Sequence, residues 1–495
     1  MGKLQSLFKD TVIYGLSSIV GRFLNYLLVP LYSYSMTAES GNYGIVTNVY
    51  AWTALILVML TFGFETTFMR FAGKYKDELP KVFSTSIQVV ATVCAIFLFT
   101  VLSNITPIAN ALGYEQHPEF ITMMSVVISL DAIQAIAFTY LRFKNKAIKF
   151  VSLKLLFIGM SIALNVVAFL LLPYIYEKNP SLVSSFYEPN NQAYYIFLIN
   201  LICTSAITLF FIPEFKIFKF TTDIRLLKEM LSYSWPILLL GLAGILNLHA
   251  DKIIYPILVP GEEGRIELSI YGAVVKIAAI MAMLIQAFKY AYEPIVFKMG
   301  NSRESKEYQA IAMKYFIAIA LLAFLAVVFY MDILRNIIAP DYWVGLGVVP
   351  IVMLAEIIMG VYQNLSNWYK LNDETWWGAI FSTIGCIILF VINIIFVPQY
   401  GYHACAIASL IGFTVAMLLS YFVGQYRNPI MYDLKSIFSY VLLAMLLYKI
   451  SQLVSIENSL LHMGFNTILI FIYLAYFVKK DLPLKQIPII KRFFK

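Results

Sequence analysis

Residues 376–397 read WWGAIFSTIGCIILFVINIIFV, a run without a single Asp, Glu, Lys or Arg. As a helix rising 1.5 Å per residue it would cover roughly 33 Å, enough for the hydrocarbon core of a bilayer. Pro398 ends it, and a second apolar run begins at Tyr402. The same alternation extends in both directions along the chain. Fourteen spans are predicted, at 11–34, 43–66, 82–104, 119–141, 151–174, 193–213, 232–258, 268–297, 310–334, 345–368, 376–397, 402–423, 436–453 and 461–478. The last two are separated only by the weakly polar stretch Ser451 to Asn458.

Composition excludes a soluble assembly. Of 495 residues, 61% are hydrophobic and 13% charged, about half the charged fraction of a soluble domain. The first apolar run is long and lacks a small-residue cleavage pattern, so no cleavable signal peptide is expected. Cys94, Cys203, Cys386 and Cys405 all fall within apolar runs and read as small packing residues. The net charge of +8 does not imply nucleic acid, because the bases sit in short segments between apolar runs.

The placement of those bases tests the span count. Of the 36 Lys and Arg, Arg22, Lys252, Lys276 and Lys289 lie deep in spans. Only Lys178, Arg265, Arg335 and Lys449 fall on the side opposite the N-terminus; the others share its side. By the positive-inside rule both termini are cytoplasmic, and one missed span would scramble the asymmetry.

Sliding the chain along itself by 228 positions places Tyr43-Gly44 on Tyr271-Gly272, Glu65 on Glu293, Arg70 on Lys298, Arg142 on Lys370 and Asn165 on Asn393. An offset of six spans predicts two like-oriented bundles related by an axis along the membrane normal. The expected organisation is an N-terminal six-helix lobe (1–220), a C-terminal six-helix lobe (221–425), and two additional helices with a basic tail (426–495).

Charge at bilayer depth costs about 2.5–3.5 kcal/mol on insertion scales and marks a partner or a wet cavity. Arg22, Lys252 and Lys276, with Asn25 and Asn247, are expected to bind an anionic head group, since guanidinium and ammonium donors suit phosphate oxygens. The alternative is pairing inside the bundle, with Asp251 neutralising Lys276 and Lys289 pairing Glu293 at i, i+4. Glu356, Asp251, Glu65, Glu293 and Asp131 are candidates for ion coupling to a proton or sodium gradient, or for gating. Tyr26, Tyr50, Trp368 and Tyr369 could stack on sugar rings, although each reads first as a packing residue.

The chain has no G-x-x-x-x-G-K-[ST] loop, no G-x-S-x-G and no H-E-x-x-H, and its loops are short. Neither a catalytic residue nor a metal or cofactor site is expected, and transport is the simpler reading.

Several segments resemble a known family. GLSSIVGRFLNYLLVPLYSYSM followed by SGNYGIVTNVYAW is similar to the opening helices of polysaccharide-export flippases. HADKIIYPIL, SIYGAVVKIAAIMAMLIQAFKYAYEPIVFK, NLSNWYKLNDETWWGA and NIIFVPQYGYHACAIASLIGF resemble later helices of the same proteins. The family is the polysaccharide transporter family, the O-antigen and capsule repeat-unit flippases. It belongs to a superfamily shared with multidrug antiporters and peptidoglycan-precursor flippases. The resemblance implies a central cavity, alternating access and a bacterial inner-membrane location. It also implies a substrate of undecaprenyl-diphosphate-linked oligosaccharide moved to the outer leaflet for surface polysaccharide biosynthesis. Membrane lipids, a polysaccharide polymerase and glycosyltransferases are the implied partners. Competing readings are a cation-coupled drug or metabolite antiporter of the same superfamily and a membrane polymerase or glycosyltransferase.

Overall fold

The computed structural model describes residues 24, 26–220, 223–454, 456 and 458–481. Among these the regular elements are helices, and 13 are long and apolar enough to cross a bilayer. The first predicted span lies mostly outside the described residues, which retain its end as α1 (Leu28–Ser35). Each of the other thirteen predicted spans appears as a helix.

The observed helices depart from the predicted boundaries, and one departure has a clear local cause. The second span is α2 (Asn42–Thr61) followed by α3 (Phe64–Lys74). Phe62 and Gly63 take positive φ of 49° and 71° between them, a conformation glycine adopts without penalty. Glu65 therefore starts a separate helical segment. The third and fourth spans are α4 (Leu79–Ser103) and α5 (Pro118–Phe143). The fifth, α6 (Ala147–Val166), continues through a π turn at Val167–Leu171 to Lys178. After α7 (Gln192–Leu209) come α8 (Ile224–Leu258) and α9 (Glu262–Met299). With 38 residues, α9 is about 57 Å long at the helical rise, well beyond a bilayer core.

The remaining helices are α10 (Arg303–Phe329), α11 (Val349–Leu365), α12 (Trp376–Tyr400), α13 (Tyr402–Arg427), α14 (Leu434–Leu453) and α15 (Ser459–Asp481). Helix contacts divide the chain into two compact units. One comprises Met1–Ala273 with Cys386–Cys405, the other Val274–Gly385 with Ala406–Lys495.

The core of the first unit is aromatic: Phe64, Phe68, Phe83 and Tyr140 are buried together, with the Phe83 and Tyr140 rings 4.9 Å apart. Lipid tails are as apolar as these side chains, so helix association depends on close packing and polar bonds. At the Lys/Arg-poor end, Gly44 N–H, one of the donors at the α2 N-terminus without a helical partner, donates to Ser269 Oγ of α9 at 2.7 Å. A methyl group on Gly44 would fall 2.9 Å from the Ser269 nitrogen, and one on Gly272 would fall 3.1 Å from Thr47 Cβ. The two glycines related by the 228-residue register thus form one α2–α9 crossing.

Pro256 inside α8 has no N–H, which leaves the Lys252 carbonyl without its helical donor. Asn48 Nδ2 of α2 supplies it, at 2.7 Å. Tyr114 OH donates in turn to Asn48 Oδ1 at 2.7 Å. Irregular backbone at membrane depth is thereby satisfied by side chains, as lipid surroundings require.

In the second unit, α10 anchors the last two helices. Lys314 pairs with Asp481, and Tyr440 OH donates to the same carboxylate. Further along, Tyr473 OH donates to Ala318 O at 3.0 Å and Asn466 Nδ2 to Phe329 O at 3.2 Å. Gly385 packs against the Gly412 backbone, which brings α12 and α13 together.

Candidate functional site

Three charged clusters sit in spans whose hydrophobic surroundings would otherwise expel them. The first, in the first unit near the Lys/Arg-rich end, brings Glu65 of α3, Asp131 and Arg142 of α5, and Lys154 of α6 around a cleft of about 380 Å³. Gln134 and Thr139 add polar lining, and Leu57, Phe138, Phe150 and Phe157 add apolar lining. Glu65, Arg142 and Lys154 are exposed and Asp131 is half-buried. The Arg142 and Lys154 charges both act on Glu65, and Lys154 also acts on Asp131. Thr204 Oγ1 donates to Asp131 Oδ1 at 3.4 Å. Lys154 Nζ rests 4.1 Å from the Phe138 ring centroid, a cation–π placement that leaves the ammonium accessible.

The second cluster, in the second unit, is built by the residues one register later. Glu293 Oε1 lies 3.3 Å from Lys370 Nζ and 3.8 Å from Lys289 Nζ. Glu293 and Lys289 line a small recess with Gln363 and Asn364 and the apolar side chains of Ile285, Phe288 and Phe316. The register matches Glu65 to Glu293 and Arg142 to Lys370, so each unit sets an acid against a base of the same pair of helices. Lys154 and Asp131 fall on Ser382 and Met359 in that register, which makes the first unit's cluster richer in charge.

The third cluster lies toward the Lys/Arg-poor end of the first unit. Asp251, 3% exposed, holds Lys252 Nζ at 2.8 Å and accepts from Tyr271 OH at 2.7 Å. Four residues beyond Asp251, Tyr255 OH donates to Glu267, itself four residues before Tyr271. The two pairs are placed symmetrically about Gly261, whose φ of 91° turns the chain between α8 and α9. Each helix therefore contributes a carboxylate and a tyrosine one turn apart, and each tyrosine serves the other helix's acid.

Arg22 and Asn25 lie outside the described residues. Lys252 is paired by its neighbour Asp251 rather than standing alone, and Asp251 is engaged by Lys252 and Tyr271. Lys276 is exposed on α9 and has interactions of its own. Asn247 is buried and donates to Ala243 O at 2.8 Å within α8. Glu356 is half-buried on α11 and likewise engaged. Trp368 and Tyr369, 2% and 6% exposed, pack with Phe381 and Trp377 in a core and are not presented to a sugar. Tyr50 keeps an exposed face and is bonded to Asn200.

Sequence reasoning counted Arg142, Lys154 and Lys370 only as flanking charge. Lys154 carried a usable signal: it sits inside the predicted span 151–174, where a merely interfacial lysine is costly. The Asp251/Tyr255 and Glu267/Tyr271 spacings about one glycine were also readable.

The chain matches no known protein-family profile and no curated protein. Solved structures do match. A lipid II flippase, MurJ, in an inward closed conformation superposes with a TM-score of 0.70 at 16% identity, over 95% of this chain and 99% of that one. This chain has the same fold as that structure. An inward-facing multidrug resistance MATE family transporter of the MOP superfamily follows with a TM-score of 0.62 at 14% identity, over 82% and 94%. A MATE structure in complex with MaL6 gives 0.55 at 16%, over 85% and 96%. Identities this low carry the fold alone.

Proposed function

We propose that the protein is a flippase for a lipid-linked saccharide, carried by its diphosphate through alternating access from the cytoplasmic to the outer leaflet of a bacterial inner membrane. The observation that supports this most is the Glu65–Asp131–Arg142–Lys154 cleft. It offers a guanidinium and an ammonium, on two exposed side chains, beside a 380 Å³ space lined by both polar and apolar residues. That is the lining expected for a diphosphate attached to a hydrocarbon chain, with Arg142 able to engage two oxygens at once and Lys154 acting as a point charge. The nearby acids act electrostatically on the bases, which limits the cost of holding cations at membrane depth.

The polyprenyl diphosphate, undecaprenyl in the bacterial setting, comes from the resemblance of the sequence segments. Both termini are cytoplasmic in this reading, and surface-polysaccharide assembly consumes the product. Asp131 and Glu65 are the proposed carriers of a coupling proton or sodium ion. Arg22, Asn25, Lys252 and Lys276 are proposed to meet the head group along its path. A cation-coupled antiporter reading is favoured by the same two acids and separates from the first in a direct test. Purified protein in liposomes should move a fluorescent undecaprenyl-diphosphate-linked saccharide between leaflets. Efflux of lipophilic cations with no movement of the saccharide would replace the flippase reading with the antiporter one.

A further inference from the structure

Adjacent residues on a helix point about 100° apart and do not face each other. Lys252 nevertheless curls its side chain back onto Asp251, with Nζ 3.0 Å from Oδ1 and 2.8 Å from Oδ2. The backbone around it is fixed, because the Lys252 carbonyl is gripped by Asn48. Movement of the ammonium is therefore a matter of its four-carbon stem alone. The lysine side chain retains 16% exposure while the aspartate has 3%, so the cation can reach outward and the anion cannot follow.

A buried carboxylate that loses its only cation is strongly disfavoured. Asp251 is not left in that position, because Tyr271 OH already donates to Oδ2 at 2.7 Å from α9. Tyr271 also presents its ring 5.3 Å from Lys252 Nζ. Tyr271 is itself held in place: its ring stacks on Tyr402 at 6.2 Å, and the matching Tyr255–Glu267 bond ties α8 to α9 one turn away.

Resting on the flippase reading, we infer that Lys252 is an exchangeable cation. It leaves Asp251 for the diphosphate of the passing lipid and is recaptured afterwards, and Tyr271 is the positioning residue that keeps Asp251 satisfied in between. Asp251 is thus a built-in competitor of the substrate. It weakens binding at this station so that the head group is released rather than trapped.

The test uses the full-length protein in detergent with undecaprenyl diphosphate as probe, alongside flipping in proteoliposomes. Asp251→Asn removes the competitor, so the probe binds about tenfold tighter while turnover slows. Tyr271→Phe makes release of Lys252 harder, so the probe binds several-fold more weakly at nearly unchanged thermal stability. In a Lys252→Gln background the Asp251→Asn gain disappears. Unaltered probe affinity in Asp251→Asn, or tighter binding in Tyr271→Phe, overturns the exchange even if the wild-type protein binds and flips normally. A wild-type protein that neither binds the probe nor flips the saccharide overturns the substrate reading and the exchange together. Tyr271→Phe alters no charge, so it remains informative should Asp251→Asn fail to fold.

Discussion

Glu293 on α9 holds Lys370 at 3.3 Å, and 228 residues earlier Glu65 shares its cleft with Arg142. The same acid–base opposition recurs at the same place in both halves of the chain. These four residues occupy the positions that the 228-residue register matches, Glu65 to Glu293 and Arg142 to Lys370.

The Glu293–Lys370 pair is part-exposed, at 26% and 32%, so its worth to stability is modest. A double-mutant cycle with Glu293→Gln and Lys370→Gln, read by thermal unfolding in detergent, should give a coupling of about 0.2–1 kcal/mol. Transport should fall more than stability in either single variant. Equal losses in both readouts would make the pair purely structural.

Asn48→Ala leaves the Lys252 carbonyl and Tyr114 hydroxyl without their shared partner. Stability should drop by about 1–3 kcal/mol, the usual cost of an unsatisfied buried polar group. Adding Pro256→Ala restores a helical N–H for that carbonyl and should recover part of the loss. A double variant no more stable than Asn48→Ala would show that the proline vacancy is not what Asn48 fills.

At the α2–α9 crossing, Gly44 and Gly272 leave no room for a methyl group. Gly272→Ala should destabilise this arrangement by about 1–3 kcal/mol through overpacking against Thr47. Cysteines placed at Thr47 and Gly272, where the two Cβ positions approach to 3.1 Å, should cross-link readily, and the cross-link should arrest transport until reduced. The four native cysteines are buried, so background labelling should be small. Full transport in the cross-linked protein would rule out separation of these helices during the cycle.

Asp433 caps α14 by accepting from Ser436 N–H at 3.1 Å. The Ser436 side chain and then its backbone N–H hold the Asp433 carboxyl below the ordinary carboxylate range. A lowered folded-state pKa means the cap's contribution is present above the unfolded value, about 3.9, and is lost as pH falls through the lower folded one. Amide exchange in the first turn of α14 should therefore accelerate only under acid conditions, and Asp433→Asn should flatten that dependence. Identical acid profiles for the two proteins would refute it.

Much of the fold was legible in the sequence because a bilayer imposes one dominant constraint, about 20 apolar residues per span. The run at 376–397 shows it directly, and thirteen of the fourteen predicted spans have a long apolar helix among the described residues. Local backbone events were harder to read. The break at Phe62–Gly63 is a conformational choice that hydropathy does not encode, and it moves Glu65 onto a new segment. Of the site, Asp251, Glu65 and Glu293 stood out as costly charges. Their partners did not: Lys154, Arg142 and Lys370 resemble ordinary flanking bases, and only the folded helices reveal which acids they serve. Trp368 and Tyr369 pack in a core, as the ordinary reading of span aromatics has it, since an aromatic side chain in a span reads the same whether it meets a ligand or a neighbour.

The central claim is that bases lining the first unit's cleft carry the diphosphate. The most direct measurement is leaflet-to-leaflet movement of a fluorescent undecaprenyl-diphosphate-linked saccharide in liposomes, comparing the wild-type protein with the Arg142→Gln, Lys154→Gln double variant at matched folded content. Losing two charged contacts to the head group should slow movement by at least about tenfold. An unchanged rate in the correctly folded double variant would contradict the account.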